Sequence, residues 1–380
     1  MKYLQLGSSF KITNRGYVYI CNIAPDYENF KLHEKFYDYE GNEYIISGIE
    51  MFRMLNEFNP IFDNRFPLLI KNEKSYDIKV KGKILSSEKN TINVSFIFPS
   101  NPLDFNAADF DYMEEYNASK NNFDTMLFSY EDLVNEHRLK INKKIPGLAI
   151  YRGWMLKPWQ YKELYELLAK ENIYLINSPD DYERCHLLPN WYKRVKSITP
   201  KSCWTNSNDL EDAFELLKEF NGPIMVKDYV KSRKHEWDDA CYIENPNSDK
   251  AKEVIKNFID RQESEFVGGT VLREYVNLKR VGYHEISGMP ISDEYRVFVL
   301  YDEIISIVGY WGNTIKNFND DEMTLINKIM SRINSNFYTI DLARKENGDL
   351  IVIEIGDGQV SGLQGLNVDE FYEVIFKIIY

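Results

Sequence analysis

The sequence predicts a multidomain α+β chain, an all-β module followed by α/β domains, and three observations carry that prediction. From Phe10 to about Pro99, short runs rich in Val, Ile, Tyr and Phe are separated by turn residues, with no helical period among them. From Gly147 onward, apolar runs of strand length alternate with stretches of helical spacing. At 380 residues and 44% hydrophobic content, the chain is long and apolar enough for two or three cores.

In the first region, Tyr17-Val18-Tyr19-Ile20-Cys21, Glu43-Tyr44-Ile45-Ile46 and Ile92 to Phe98 have strand length, and Asn14-Arg15-Gly16 and Glu40-Gly41-Asn42 read as turns. Closing these strands into a small barrel over residues 1–100 removes exposed edges. Residues 101–146 set Asp104, Asp109, Asp111, Glu114 and Glu115 among Asn, Phe and Tyr, which predicts an acidic linker. Within it a helix is expected from about Tyr130 to Arg138, with Ser129 as cap and Glu131 and Asp132 in the first turn. Over residues 147–205 a strand at Leu148–Tyr151, a helix at Lys157–Lys170 and a strand at Ile173–Ile176 form one βαβ unit. The helix carries Tyr161, Leu164, Tyr165, Leu167 and Leu168 at helical spacing. This unit would precede a nucleotide-binding fold over residues 206–380.

Composition removes several function classes. The 46 basic and 59 acidic residues give a net charge of −13, which argues against broad coating of a nucleic-acid backbone. Cys21, Cys185, Cys203 and Cys241 stand far apart in no metal-ligand spacing, so reduced thiols are expected. The polar N-terminus and the lack of a long apolar run predict no membrane segment, and the cytoplasm is the expected compartment.

Four segments carry chemistry. Pro223-Ile224-Met225-Val226-Lys227-Asp228 is a buried-strand pattern ending in a lysine, and Tyr229 to Lys234 then add Lys231, Arg233 and Lys234. Lysines so placed hold polyphosphate, although lysines on strand edges are commonly just solvated. Thr270 to Val276 reads as a strand ending in Arg273-Glu274-Tyr275-Val276, where Glu274 and backbone groups can meet an adenine edge. In Asp293 to Leu300, alternation puts Glu294 and Arg296 on one face, which suits either a phosphate contact or a solvent-facing ion pair. Phe337 to Asp341 and Leu350 to Glu354 flank the turn Glu346-Asn347-Gly348-Asp349. Antiparallel pairing there brings Asp341 and Glu354 together as hard oxygen donors for Mg²⁺.

The order of these segments resembles the ATP-grasp superfamily from Leu148 to the C-terminus. Tyr151 to Leu156, Thr199 to Trp204, Val226 to Ser232 and Glu354 to Gly362 look like its R2K branch. The fold class implied is a β-barrel, a pre-ATP-grasp α/β domain and an ATP-grasp fold. The resemblance implies ATP and Mg²⁺ as cofactors. It also implies roles: Lys227 on the α/β-phosphates, Lys231, Arg233 or Lys234 over the β/γ-phosphates, and Glu274 and Val276 at the adenine. Arg296 and Lys231 would serve catalysis, with Asp341 and Glu354 on the metal. Two departures stand out. Gly356 occupies the place where the family carries a metal-binding Asn, with Asp357 as a substitute, and the phosphate-covering loop is basic and lacks glycine.

The N-terminal region resembles the second, barrel domain of translation factors of the elongation factor Tu type. The residues concerned are Phe10 to Val18, Gly48 to Leu55 and Pro67-Leu68-Leu69-Ile70. No P-loop accompanies it, so no GTPase activity follows. The implied activity is an ATP-dependent carboxylate–amine ligase working through an acylphosphate. Carboxylate and amine substrates are its implied partners, with tRNA or a translation component as a further partner of the barrel. A phosphotransfer or RNA end-joining enzyme and a non-catalytic translation-associated module stay open. His186, His235 and His284 lie in or near candidate loops and could take a proton from the amine, or be structural.

Overall fold

The computed structural model describes residues 2–12, 15–24, 31–49, 65–72, 83–89, 92–283, 290–310 and 318–380. Residues 13–14 of the first turn, residues 50–55 of the translation-factor-like segment, and His284 lie outside them. The chain divides into two compact units. One comprises Met1–Asp180, Val299–Ile305 and Leu366–Tyr380, and the other comprises Asp181–Phe298 and Ser306–Gly365.

The first unit opens with the expected closed barrel. Its described strands run in the order Tyr3–Ile12, Gly16–Ala24, Arg65–Asn72, Glu43–Ile49, Lys35–Tyr37 and Ile84–Ser86, and Ile84–Ser86 pairs back on Tyr3–Ile12. Period-2 alternation fills the lumen, with Leu4 and Leu6, Tyr19 and Cys21, Tyr44 and Ile46, and Leu68 and Ile70 all in one buried cluster. One carboxylate is buried with them: Asp38 accepts from Lys83 Nζ at 2.6 Å, from the Asn42 N–H at 2.8 Å and from the Tyr44 hydroxyl at 3.1 Å.

The barrel stops earlier than the composition suggests. Val94–Asn101, expected as its last strand, instead lies parallel to Gly147–Tyr151 and to Asp124–Phe128. Its residues from Val94 to Ser100 are all buried, which fits a strand covered on both faces. The acidic stretch after it is therefore no linker. Asp104–Ala108 forms a hairpin with Val94–Asn101, and Asp124–Phe128 joins the same sheet. Ile173–Leu175 completes it, parallel to Gly147–Tyr151. The helix after Ser129 spans Tyr130–Glu136, and the Ser129 side chain accepts from the Asp132 N–H as a cap should. In the helix Pro158–Lys170, Tyr161, Leu164 and Leu168 face the core at i, i+3 and i+7.

A buried ion pair ties this sheet to two helices. Arg152, at the end of Gly147–Tyr151, is 1% exposed and forks onto Glu115 of the helix Met113–Ser119, with both N–H to O distances at 2.8 Å. The Tyr372 hydroxyl, from the helix Val368–Ile379, donates to the same carboxylate at 2.8 Å.

Two four-stranded sheets follow along the chain. One runs Ser202–Trp204, Val271–Glu274, Ile224–Lys227, Tyr242–Ile243, antiparallel throughout, with the helix Asp249–Gln262 against it. Ser202–Trp204, expected within a pre-ATP-grasp subdomain over residues 147–205, thus belongs to this sheet. The other sheet runs Glu303–Gly309, Glu294–Leu300, Phe337–Arg344, Leu350–Asp357.

Removing one partner of the Arg152–Glu115 pair leaves a buried charge uncompensated. Glu115→Leu is expected to lower stability by about 3–5 kcal/mol. Tyr372→Phe, which removes one hydrogen bond, is expected to cost about 1–2 kcal/mol. Urea unfolding midpoints of the two variants, compared at constant m-value, check the difference.

Candidate active site

Strand parity builds the site. In Ile224–Lys227, Ile224 and Val226 enter the apolar core beneath the sheet, so Met225 and Lys227 face the other way. Val271–Glu274 pairs with it in a register that sets Arg273 opposite Met225, while Leu272 follows Val226 into the core. On the second sheet, Phe337–Arg344 and Leu350–Asp357 pair so that Asp341 and Glu354 are direct cross-strand partners, the register shifting by one residue between Leu342 and Asp341 to bring them opposite. A cavity of about 310 Å³ lies between these elements, within the size range of small-molecule sites. Its lining includes Lys227, Lys231, Lys234, Glu274, Val276 and Glu354.

The apolar part of the wall comes from Met225, Trp237, Val276, Leu278 and Ile353. Trp237 stacks on Tyr242 at 5.3 Å and meets Tyr275 edge-on at 5.9 Å, which fixes its ring. The Val276 backbone makes no hydrogen bond among the described residues, so its N–H and C=O are available to a planar heterocycle.

The polar part is densely cationic. Lys227 Nζ stands 3.7 Å from Glu354 Oε1. Burial pushes the Lys227 ammonium below the ordinary lysine value, with Glu354 opposing the shift. Burial works to raise the Glu354 carboxyl, but Lys227, Lys234, Arg273 and Arg296 together hold it below the ordinary glutamate value. Arg296 and Asp341 stand behind Glu354 rather than on the cavity lining. Arg296 Nε and Nη2 each donate to Asp341 at 2.8 Å, and Nη1 donates to the Gly362 carbonyl at 2.9 Å. The solvent-facing ion pair is thereby excluded, since every residue of Glu294–Leu300 is buried.

Two expected site residues are elsewhere. Arg233 does not line the cavity; its guanidinium is engaged with Glu236 Oε1 at 2.6 Å, the Arg261 carbonyl at 2.9 Å and Gln262 Oε1 at 3.1 Å. Asp357 cannot stand in for a metal-binding Asn, because strand alternation puts it on the face opposite Glu354. There it is fully buried and accepts the Gln359 N–H at 2.9 Å. Position 356 itself has no room for a side chain: a Cβ would lie 2.7 Å from Thr339 Oγ1 and 3.1 Å from Ser361 Oγ. Those hydroxyls are 2.9 Å apart and close the gap beside the two carboxylates. Among the described residues, no group of three or more His, Cys, Asp or Glu side chains gathers as a metal site.

Arg273 is a site residue that was passed over. It is buried, donates to Thr199 Oγ1 at 2.9 Å, lies over the Trp191 ring at 5.5 Å, and its pKa is pushed down to about 10 by burial. The alternation of Val271–Glu274 about a core-facing Leu272 was the signal for it. His186 is also buried, with its ring 4.8 Å from that of Tyr182. Burial, reinforced by Lys231 and Lys227 against Glu354, lowers its pKa to about 4.

With this geometry in place the comparisons are specific. Residues 215–375 match the family model described as ATP-grasp domain, R2K clade family 3. Over those residues the chain is an ATP-grasp domain. No curated protein matches the sequence. Among solved structures, a RimK domain protein ATP-grasp from Sphaerobacter thermophilus aligns over 75% of this chain and 99% of its own, at 12% identity and TM-score 0.51. D-alanyl-alanine synthetase A from Vibrio cholerae covers 76% and 97% at 11% identity and TM-score 0.47. The ATP-grasp ligase PsnB, complexed with minimal precursor, Mg and ADP, covers 75% and 97% at 12% identity and TM-score 0.45. The first of these likenesses extends the shared fold beyond the ATP-grasp domain.

Two predictions follow from the geometry. The ordinary His186 value of 6.5 exceeds its folded value of about 4, so the unfolded chain takes up this proton first as pH falls. The stabilisation is fully present above pH 6.5 and is lost between 6.5 and about 4, with a slope of about 1.4 kcal/mol per pH unit. His186→Phe, which keeps a ring against Tyr182, should flatten that part of the stability profile. Separately, Gly356→Ala is expected to destabilise by about 1–3 kcal/mol. The same change in a Thr339→Ala background should cost clearly less, as a double-mutant cycle would measure.

Proposed function

We propose that the chain is an ATP-dependent carboxylate–amine ligase acting through an acylphosphate. The observation that carries this reading is the cavity of the ATP-grasp domain, in which Lys227, Lys231, Lys234 and Arg273 share the lining with Glu354, the cross-strand partner of Asp341. A polyphosphate needs such a density of cations, and a small acidic metabolite does not.

In this reading Glu274 accepts from the adenine amino group, and Val276 offers backbone N–H and C=O to the ring. Lys227 holds the α/β-phosphates, while Lys231 and Lys234 reach toward the β/γ-phosphates. Asp341 and Glu354 supply carboxylate oxygens of the type Mg²⁺ takes, and a bound ion would offset charge on the phosphates. The fit is supported by the two carboxylates' cross-strand adjacency and by the cations that keep Glu354 ionised.

The acceptor carboxylate oxygen attacks the γ-phosphorus, the bond from that phosphorus to the bridging oxygen breaks, and ADP leaves. An amine nitrogen then attacks the acyl carbon, the carbon–oxygen bond to the phosphate breaks, and inorganic phosphate departs with the electron pair. The amine's surplus proton passes to phosphate or solvent. Four of the five Arg296 N–H donors are already engaged, two on Asp341, one on Gly362 and one on the Gln364 side-chain oxygen. The remaining donor can meet charge on the transferring phosphoryl while Asp341 holds the fork in place. No separate protein nucleophile is needed, and catalysis rests on positioning and charge neutralisation.

The test is nucleotide product analysis. Purified protein with Mg-ATP and pooled carboxylates and amines is expected to release ADP and phosphate, and the Asp341→Asn, Glu354→Gln double variant should release neither. AMP and pyrophosphate would sink the acylphosphate mechanism in favour of adenylyl transfer. Arg296→Lys is expected to lower turnover by about 10²–10³ while changing nucleotide affinity far less, because only the planar fork is lost.

A further inference from the structure

Lys227 leads into residues 228–236, which carry Lys231 and Lys234 and contain no glycine. A loop bearing phosphate-binding side chains either closes over its ligand or stands formed before the ligand arrives. The hydrogen bonds of this loop distinguish the two. The Asp228 carboxylate is fully buried. Oδ1 accepts the backbone N–H of Val230 at 2.7 Å and of Lys231 at 2.5 Å. Oδ2 accepts the Val267 N–H at 3.1 Å and Gln262 Nε2 at 3.0 Å. Four donors fill the acceptor capacity of one carboxylate.

The rest of the loop is held as firmly. The Asp228 N–H donates to the Lys231 carbonyl at 2.9 Å and closes the turn. The Tyr229 N–H donates to the Val267 carbonyl at 3.2 Å, and the Tyr229 carbonyl accepts from the Leu188 N–H at 2.9 Å. The Tyr229 ring lies on Gly268, where a Cβ would stand 2.1 Å from ring Cδ2 and φ is +73°. Only glycine permits that approach. The Tyr229 hydroxyl donates to the Thr205 carbonyl at 2.6 Å, and Arg233 fastens the far end to Glu236, Arg261 and Gln262.

Burying a carboxylate without an ion pair is costly unless N–H donors replace water completely. Here the donors are gathered on a turn that carries Lys231 and follows Lys227 directly. We infer that Asp228 is a positioning residue whose buried carboxylate fixes this turn, so that the basic loop is a preformed phosphate cradle rather than a closing lid. The inference rests on reading the cavity as a nucleotide site. A preformed cradle binds its ligand without an ordering cost at that moment.

Hydrogen exchange at the Val230, Lys231 and Val267 amides of the full chain, with and without Mg-ADP, tests it, alongside the Kd for Mg-ADP. In the wild type these amides should be protected in the free protein and change less than about twofold in exchange rate on saturation. Asp228→Asn turns one acceptor oxygen into a donor, so one pair of these N–H groups loses its partner. Their exchange should then accelerate about tenfold or more, and the Kd for Mg-ADP should rise about tenfold. Where that variant does not fold, Tyr229→Phe removes only the hydroxyl's ties to Thr205 and Asn206 and should act in the same direction by about threefold. Amides that exchange freely in the free wild type and become protected only with Mg-ADP would overturn the inference in favour of a lid. Faster exchange in Asp228→Asn at unchanged affinity would overturn the positioning role. A wild type that binds no Mg-ADP would overturn the nucleotide reading itself, and the free-state exchange pattern tells that failure apart from a failure of the preformed loop.

Discussion

The cross-strand pairing of Asp341 with Glu354 is the constraint around which the ATP-grasp domain is arranged. Two carboxylates side by side on one face of a sheet repel one another, and here Asp341 is buried and Glu354 half-buried. Two kinds of compensation surround them. Arg296 forks onto Asp341 from the neighbouring strand, and Lys227 approaches Glu354 from the other sheet of the same unit. Burial opposes the Arg296 charge, and Asp341 outweighs it, holding the guanidinium above the ordinary arginine value. The pair therefore persists because the second sheet and its loop bring lysines to it, and those lysines are in turn concentrated where a polyphosphate would need them.

Parity explains why much of this could be read from the chain. Arg296 and Asp341 stand between buried apolar residues and Lys227 follows Val226, so the alternation that marks these strands also aims the functional side chain. The turn Glu346 to Asp349 sets the register from the Arg344 and Leu350 pair to the Leu342 and Val352 pair, and a one-residue shift between Leu342 and Asp341 then brings the two carboxylates opposite each other. The barrel was legible for a related reason: its lumen is filled at every second residue of four strands. The capped helix after Ser129 was equally readable, because a cap is a local hydrogen bond and needs no tertiary partner.

What could not be read depended on distant partners. Val94–Asn101 has the composition of a barrel strand, but it pairs with Gly147–Tyr151, about fifty residues further along the chain, and one strand's composition cannot specify that choice. The acidic stretch after it looked like a linker because its buried strand is short and, Glu115 and Asp132 apart, its charges lie on exposed or half-buried residues around it. Arg233 looked like one more loop cation, yet its guanidinium is taken up by Glu236 and the end of the helix Asp249–Gln262. Asp357 was drawn toward the metal by its nearness in sequence to Glu354. Three residues along a strand is an odd step, and an odd step lands on the opposite face.

The absence of glycine from residues 228–236 and of a side chain at Gly356 reflects one physical trade. A loop that binds phosphate through backbone amides needs glycine to let the chain approach the ligand. Residues 228–236 instead present lysines, and side chains can reach only from a backbone that is itself fixed. That fixing is supplied by Asp228 from within and by Tyr229 on Gly268 from outside. At the carboxylate pair the substitution runs the other way: a side chain is given up at position 356, and the Thr339 and Ser361 hydroxyls close the space. In both places the contact is relocated to a neighbouring side chain that is already hydrogen-bonded. On the proposed reading, a site fixed in this way would gain affinity from pre-organisation rather than from closure.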